Sequence, residues 1–194
     1  MTLEWFLSFV GLAAVYAGLA TALFIGAARR LNLCASWRAA PLMLVTLFFI
    51  FLTQHPFPNP ATLDCPMPSA TPQLTLFNFR GAMQKLYATG ATPLEWLGHR
   101  TILATLMNLI VCMGIGAALT RHLRTAGVAA LFGATLSLTV EVTQLTGLWG
   151  LYPCAYRQFN VDDLFMNVLG VFLGFLMGQW WRKRPGLTAR SAPR

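Results

Sequence analysis

Five apolar runs divide this chain, at about residues 5–28, 35–54, 101–119, 126–149 and 161–181. Each is close to the roughly 20 residues that a helix needs to cross a hydrocarbon core of about 30 Å. In lipid only helices and closed barrels satisfy every backbone N–H and C=O, and runs this long and continuous do not read as barrel strands. Composition agrees, with 56% hydrophobic and 10% charged residues where soluble domains carry about 25% charged. The expected fold is an all-α integral membrane protein. It is a bundle of about five transmembrane helices, with one long outer loop carrying an interfacial helix. The second run has Trp37 and Pro41 near its start, where proline is tolerated because the first helical turn has no internal partner for its N–H.

Charge orients the bundle. The formal net charge is +8, but the basic residues are unevenly placed. Arg29, Arg30, Arg38, Arg121, Arg124, Arg182, Lys183, Arg184, Arg190 and Arg194 fall on one side of the five runs. Arg80, Lys85, Arg100 and Arg157 fall on the other. By the positive-inside rule the first side is cytoplasmic, which puts the N-terminus outside and the C-terminus inside a cell membrane. Residues 1–184 then form one transmembrane domain and 185–194 a basic cytoplasmic tail. Such a flank contacts anionic lipid and is no sign of nucleic-acid binding. The first run has Glu4 and no basic residue before it, so it reads as an uncleaved anchor. The cytoplasmic loops are short and hold no Walker-type glycine loop, which argues against a primary pump.

The long connection, residues 55–100, opens with HPFPNPATLDCPMPSATP, rich in turn formers. LTLFNFRGAMQKLYATG follows and suits an interfacial helix. TPLEWLGHR suits a short helix capped by Thr92. Cys34 is placed on the cytoplasmic side and Cys112 inside the third span. Cys65 and Cys154 share the outer side, where an oxidising compartment permits a bridge between them; two free thiols are the alternative.

The polar residues of the spans are few and grouped. At about 100° per residue, Asp163, Asn167, Gly170 and Gly174 lie within about 60° of arc, with Gly178 beside them. Such a stripe faces protein, and glycines four apart let helices approach closely. Glu141 and Gln144 share a face of the fourth span, and Glu141 is expected about 10 Å below its outer end. Asn108 lies at similar depth in the third span, and Arg157 sits in the loop before the fifth. Ionisable groups inside a bilayer cost about 2.5–3.5 kcal/mol each, so they face a bundle interior and usually mark function. Asn108, Glu141, Gln144, Arg157, Asp162, Asp163 and Asn167 are the candidate ligand-binding set. Glu141 and Asp163 are the candidate acid/base pair should there be catalysis. Asp162 is expected to be the more exposed carboxylate and to cap its own helix. If instead the network is only structural glue, Arg157 is free to pair with Glu141 or Asp162. Gly170, Gly174 and Gly178 are packing residues. His55, His99 and His122 are scattered and no zinc-type spacing occurs, so no metal and no cofactor is expected.

The run from Glu141 to Gly174 resembles the VanZ-like family of membrane proteins. That family's signature is E-x-x-Q, then R-x-F-D-x-x-D-x-x-x-N-x-x-G-x-x-x-G. Here Glu141 and Gln144 precede Arg157, Phe159, Asn160 (in place of Asp), Asp163, Asn167, Gly170 and Gly174. The upstream half departs further. Thr75 to Phe79 stands where the family shows N-L-x-P-F, and Cys112 and Gly114 replace Phe and Pro in N-x-x-x-F-x-P-x-G. The resemblance implies a cell-envelope protein, and the founding member is linked to reduced susceptibility to the glycopeptide teicoplanin. Two readings stand open at this point. One is an outward-facing polar pocket for an envelope lipid or amphiphile. The other is a non-catalytic structural or partner-binding protein whose polar network fixes helix packing. A transporter fits least, since no repeat or broken-helix pair is evident.

Overall fold

A computed structural model describes residues 3–31, 37–67 and 70–183, with side chains from Phe6 onward. Cys34, Arg184, Arg190, Arg194 and the basic tail lie outside the described residues. Five long helices run up and down. They are α1 (Leu3–Arg30), α2 (Ala40–Gln54, entered by a 3-10 turn at Trp37–Ala39), α5 (Arg100–Leu119), α6 (Ala126–Leu145) and α8 (Val161–Lys183). All five are long and apolar enough to cross a membrane, and the chain is a multi-pass membrane protein. The connection between α2 and α5 carries a 3-10 turn (Pro60–Thr62), α3 (Phe79–Ala88) and α4 (Pro93–Gly98). It occupies one end of the bundle, termed here the loop face.

Local chemistry sets the element ends. Helix α2 stops at Gln54 because His55 precedes Pro56, and a residue before proline is pushed out of the helical region; His55 has φ −84°, ψ 151°. Helix α4 begins with a capping box, in which Thr92 accepts from the Glu95 backbone N–H and the Glu95 side chain accepts from the Thr92 N–H. The Glu95 carboxyl is thereby held below its ordinary pKa, chiefly by the Thr92 backbone.

One span is shorter than its apolar run. Helix α6 ends at Leu145, not at Trp149. The chain reverses through α7 (Gly147–Gly150), where Gly147 has φ +61° and Leu148 and Trp149 are also left-handed. Glycine is required at 147: a Cβ there would lie 2.6 Å from the Cys154 carbonyl oxygen and 2.7 Å from that of Tyr152. The reversal stays apolar in composition, so hydropathy runs through it. As a consequence Glu141 sits one turn from the helix end, about 6 Å deep and not 10 Å.

Helix α8 packs most closely on α5 and then on α6; α1 packs on α2, and α2 on α5 and α6. The α5–α8 contact is made by small residues. Ideal Cβ positions at Gly170, Gly174 and Gly116 fall 2.5, 2.0 and 2.1 Å from the carbonyl oxygens of Leu109, Met113 and Val171. Backbones can approach this closely only where there is no side chain. Phe49, Cys112, Ile115, Val171 and Phe175 fill the core beside this seam. The outer side of α1 exposes Leu19, Leu23 and Phe24, as a lipid-facing surface should.

The loop face is tied together. Cys65 and Cys154 form a disulfide, 89 residues apart in sequence. Tyr152 donates to the Pro58 carbonyl (3.1 Å) and Gln158 to that of Thr71 (2.8 Å). Gln73 pairs with Asn160 in a single parallel bridge, its N–H donating to the Phe159 carbonyl at 2.8 Å. The result is a roof of loop over the ends of α2, α6 and α8. Cys154→Ser is expected to lower stability by up to about 4.6 kcal/mol, the chain-entropy value for a closed loop of this length. Thermal denaturation in detergent measures it, and an unchanged midpoint would show that the other ties suffice.

Candidate functional site

Under this roof lies a half-open cavity of about 320 Å³. One wall is polar and comes from α5, α6, the loop before α8, and α8 itself: Asn108, Glu141, Gln144, Arg157 and Asp163. The apolar lining comes from Phe6 and Phe9 of α1, Leu52 of α2, and Leu103 and Met107 of α5. Arg100 stands exposed at the rim.

The polar wall is held in place by its own bonds. Glu141, 3% exposed, accepts from the Asn160 backbone N–H at 2.8 Å. The amides of Asn108 and Asn160 reach the Asp163 carboxylate. Gln144 donates to the Thr53 carbonyl at 2.9 Å. Arg157 donates to the carbonyls of Thr53 and, at 3.3 Å, His55. Thr53 contributes one of the last carbonyls of α2, which have no helical partner and carry the negative end of the helix dipole, and His55 is the cap residue just beyond it. Arg157 therefore caps α2, and its hydrogen bonds go to these backbone carbonyls, not to the carboxylates that the structural alternative offered it. Burial holds the Arg157 guanidinium below its ordinary pKa, opposed by the nearby Tyr156 and Asp163. Burial also pushes the Tyr156 phenol up to about 12, so at neutral pH it remains the donor to the Gln54 side chain.

Two of the sequence candidates are placed differently from the rest. Asp162 is 3% exposed, so it is not the exposed carboxylate. Nor does it cap its own helix. Asn160 does that, its side chain accepting from the Asp162 N–H at 3.0 Å. The Asp162 carboxylate points into the loop and accepts from the backbone N–H groups of Phe77 and Phe79. It pins the chain just before α3, where Phe77 has φ +63° and packs its ring on Phe165 of α8. Asp162 lines a second crevice of about 280 Å³ that shares Arg100, Gln158, Asn160 and Asp163 with the first. Asn167 touches the cavity floor, but its amide is engaged on both sides, donating to Ser137 at 2.9 Å and accepting from Cys112 at 3.3 Å. It joins α5, α6 and α8. Asn167→Leu is expected to cost about 1 kcal/mol, the scale of interhelical hydrogen bonds in membranes. A thermal midpoint that does not fall would show the bonds to be dispensable.

Sequence reasoning missed Arg100, Gln158, Thr53 and Gln54, and had Asn160 only as a position of the family signature. A signal existed for two of them. Arg100 lies eight residues before Asn108, on the same side of α5. Gln54 is the one amide of the second apolar run and ends it; in the structure it is buried and donates to the Val140 carbonyl at 3.4 Å. Among the described residues no group of three His, Cys, Asp or Glu side chains could hold a metal ion.

The arrangement pairs a fixed polar wall of both charge signs with an apolar wall, under a covalently stapled roof. The VanZ/LLP1 family model matches residues 40–182, which covers α2 through nearly all of α8 and so every polar residue of the site. No curated protein matches the chain, and no solved structure matches it. The chain belongs to the VanZ-like family of membrane proteins.

Proposed function

We propose that this VanZ-like protein binds an envelope lipid or similar amphiphile in the cavity below the loop roof. The observation that carries this reading is the division of the cavity into a polar wall, with Arg157, Glu141 and Asp163, and an apolar wall, with Phe9, Leu103 and Met107. Small-molecule sites are mostly apolar with a few placed polar groups, and this one combines both kinds of lining. Arg157 serves as the head-group contact, since a guanidinium suits phosphate or carboxylate. Asn108, Gln144 and Asp163 orient the head. The positive-inside rule supports a cell-membrane orientation with the N-terminus and loop face outside. In that orientation the cavity serves the outer leaflet, α3 lies along its surface, and the disulfide sits in an oxidising compartment. A link to glycopeptide (teicoplanin) susceptibility belongs to the same reading.

Native mass spectrometry of detergent-purified protein tests it, beside a folded Arg157→Ala/Asp163→Ala variant. The expected result is a specific lipid on the wild type, absent from the variant. Identical spectra with bulk phospholipid alone would leave the second reading, a non-catalytic protein whose polar network fixes packing. One observation favours that second reading for part of the network: Asn167, Gln144 and Arg157 all make bonds within the fold.

A further inference from the structure

This inference rests on the reading that the cavity holds an amphiphile, and concerns which head group it selects. The polar wall does not have one sign. Arg100 and Arg157 share the cavity with Asp163 and Glu141. All four lie close enough for Asp163, Glu141 and Arg100 to act electrostatically on Arg157. A purely anionic head approaching the two arginines leaves Asp163 without a partner, and a purely cationic head approaching Asp163 meets two arginines. An unpaired charge of either sign is costly in a low-dielectric site. A head carrying both charges gains at both ends.

The geometry points to a phospholipid with a zwitterionic head bearing a primary ammonium, its phosphate between Arg100 and Arg157 and its ammonium at Asp163, with Glu141 behind. Arg157 spends one N–H on each of two carbonyls, and a guanidinium has five, so donors remain for phosphate. Asp163 stands between the main cavity and the second crevice, where an ammonium reaches it from either side. The Asn108 and Asn160 amides hold its carboxylate in position. A trimethylated ammonium lacks the N–H groups to hydrogen-bond there. The tails have an exit. Phe6 and Phe9 of α1 and Leu103 and Met107 of α5 line the same cavity, and we route the tails out between these two helices. A volume of about 320 Å³ is at the low end for a ligand site; it takes a head group and the first methylenes, with the chains continuing outward.

The test titrates delipidated protein in detergent with phosphatidylethanolamine, phosphatidylcholine and phosphatidylglycerol of identical chains, and with water-soluble phosphoethanolamine. Bound species are counted by native mass spectrometry. Phosphatidylethanolamine is expected to bind at least about tenfold tighter than the other three. Asp163→Asn should remove that preference while leaving phosphatidylglycerol binding unchanged or raised. Arg100→Ala, at the exposed rim and so the safer variant for folding, should weaken all three lipids by a similar factor. Equal or tighter binding of phosphatidylglycerol to the wild type would overturn the zwitterion assignment while leaving the amphiphile reading intact. Binding of soluble phosphoethanolamine as tight as the lipid would overturn the tail exit between α1 and α5. No bound lipid of any kind would overturn the cavity reading itself.

Discussion

Gly174→Leu is expected to abolish folded, monodisperse protein. The ideal Cβ at this position lies 2.0 Å from the Met113 carbonyl oxygen and 2.6 Å from its Cα. Those are backbone atoms of α5, so no side-chain rotation relieves the clash. Overpacking a tight site costs about 1–3 kcal/mol and more when backbone must move, and here two long helices would have to separate. The rest of the seam depends on the same approach, since Gly170 and Gly116 meet backbone at 2.5 and 2.1 Å. The control is Gly18→Ala in α1, where an added Cβ meets nothing within 4 Å. That variant should purify as the wild type does. Size-exclusion profiles of the two variants decide the matter, and a well-behaved Gly174→Leu protein would mean that α5 and α8 are not packed this closely.

Arg157→Ala is expected to destabilise by about 2–3 kcal/mol, the scale of hydrogen bonds to a charged group, and to lose the bound amphiphile. The guanidinium does two things at once. It closes the C-terminal end of α2 by donating to Thr53 and His55, and it faces the cavity beside Asp163. Arg157→Lys keeps the charge but not the planar fork, so it should recover part of the binding and little of the α2 cap. Thermal denaturation and lipid retention, measured on both variants, separate the roles. Wild-type stability and retention in Arg157→Ala would remove this residue from the site.

The outcome for individual residues shows what kind of information each feature needs. The five spans are visible because their length and apolarity are local properties. So is the glycine stripe of α8, because a 3.6-residue period places Gly170 and Gly174 beside Asn167 without reference to any partner. Asp162 is different. Periodicity separates it from Asp163 by about 100°, but only a fold that returns residues 77–79 to the start of α8 reveals that its carboxylate holds two backbone N–H groups. Arg157 likewise bonds to carbonyls about a hundred residues away, and backbone acceptors leave no mark in side-chain patterning. The end of α6 was overrun because Gly-Leu-Trp-Gly-Leu is as apolar as the helix before it; the left-handed turn there is required by the approach of Gly147 to Tyr152 and Cys154. The apolar wall escaped notice for the opposite reason. Phe6 and Phe9 look like any lipid-facing residues of α1 until the cavity that they share with Leu103 and Met107 is seen.

Everything proposed here depends on the cavity lined by Arg157 and Phe9 being a ligand site. An experimental structure of the wild-type protein in lipid nanodiscs tests it most directly. Continuous non-protein density is expected, with its head against Arg157 and Asp163 and a tail passing between α1 and α5. A structure in which α1 closes onto α5, with Arg157 and Arg100 paired to Asp163 and Glu141 and no room between the walls, would contradict it.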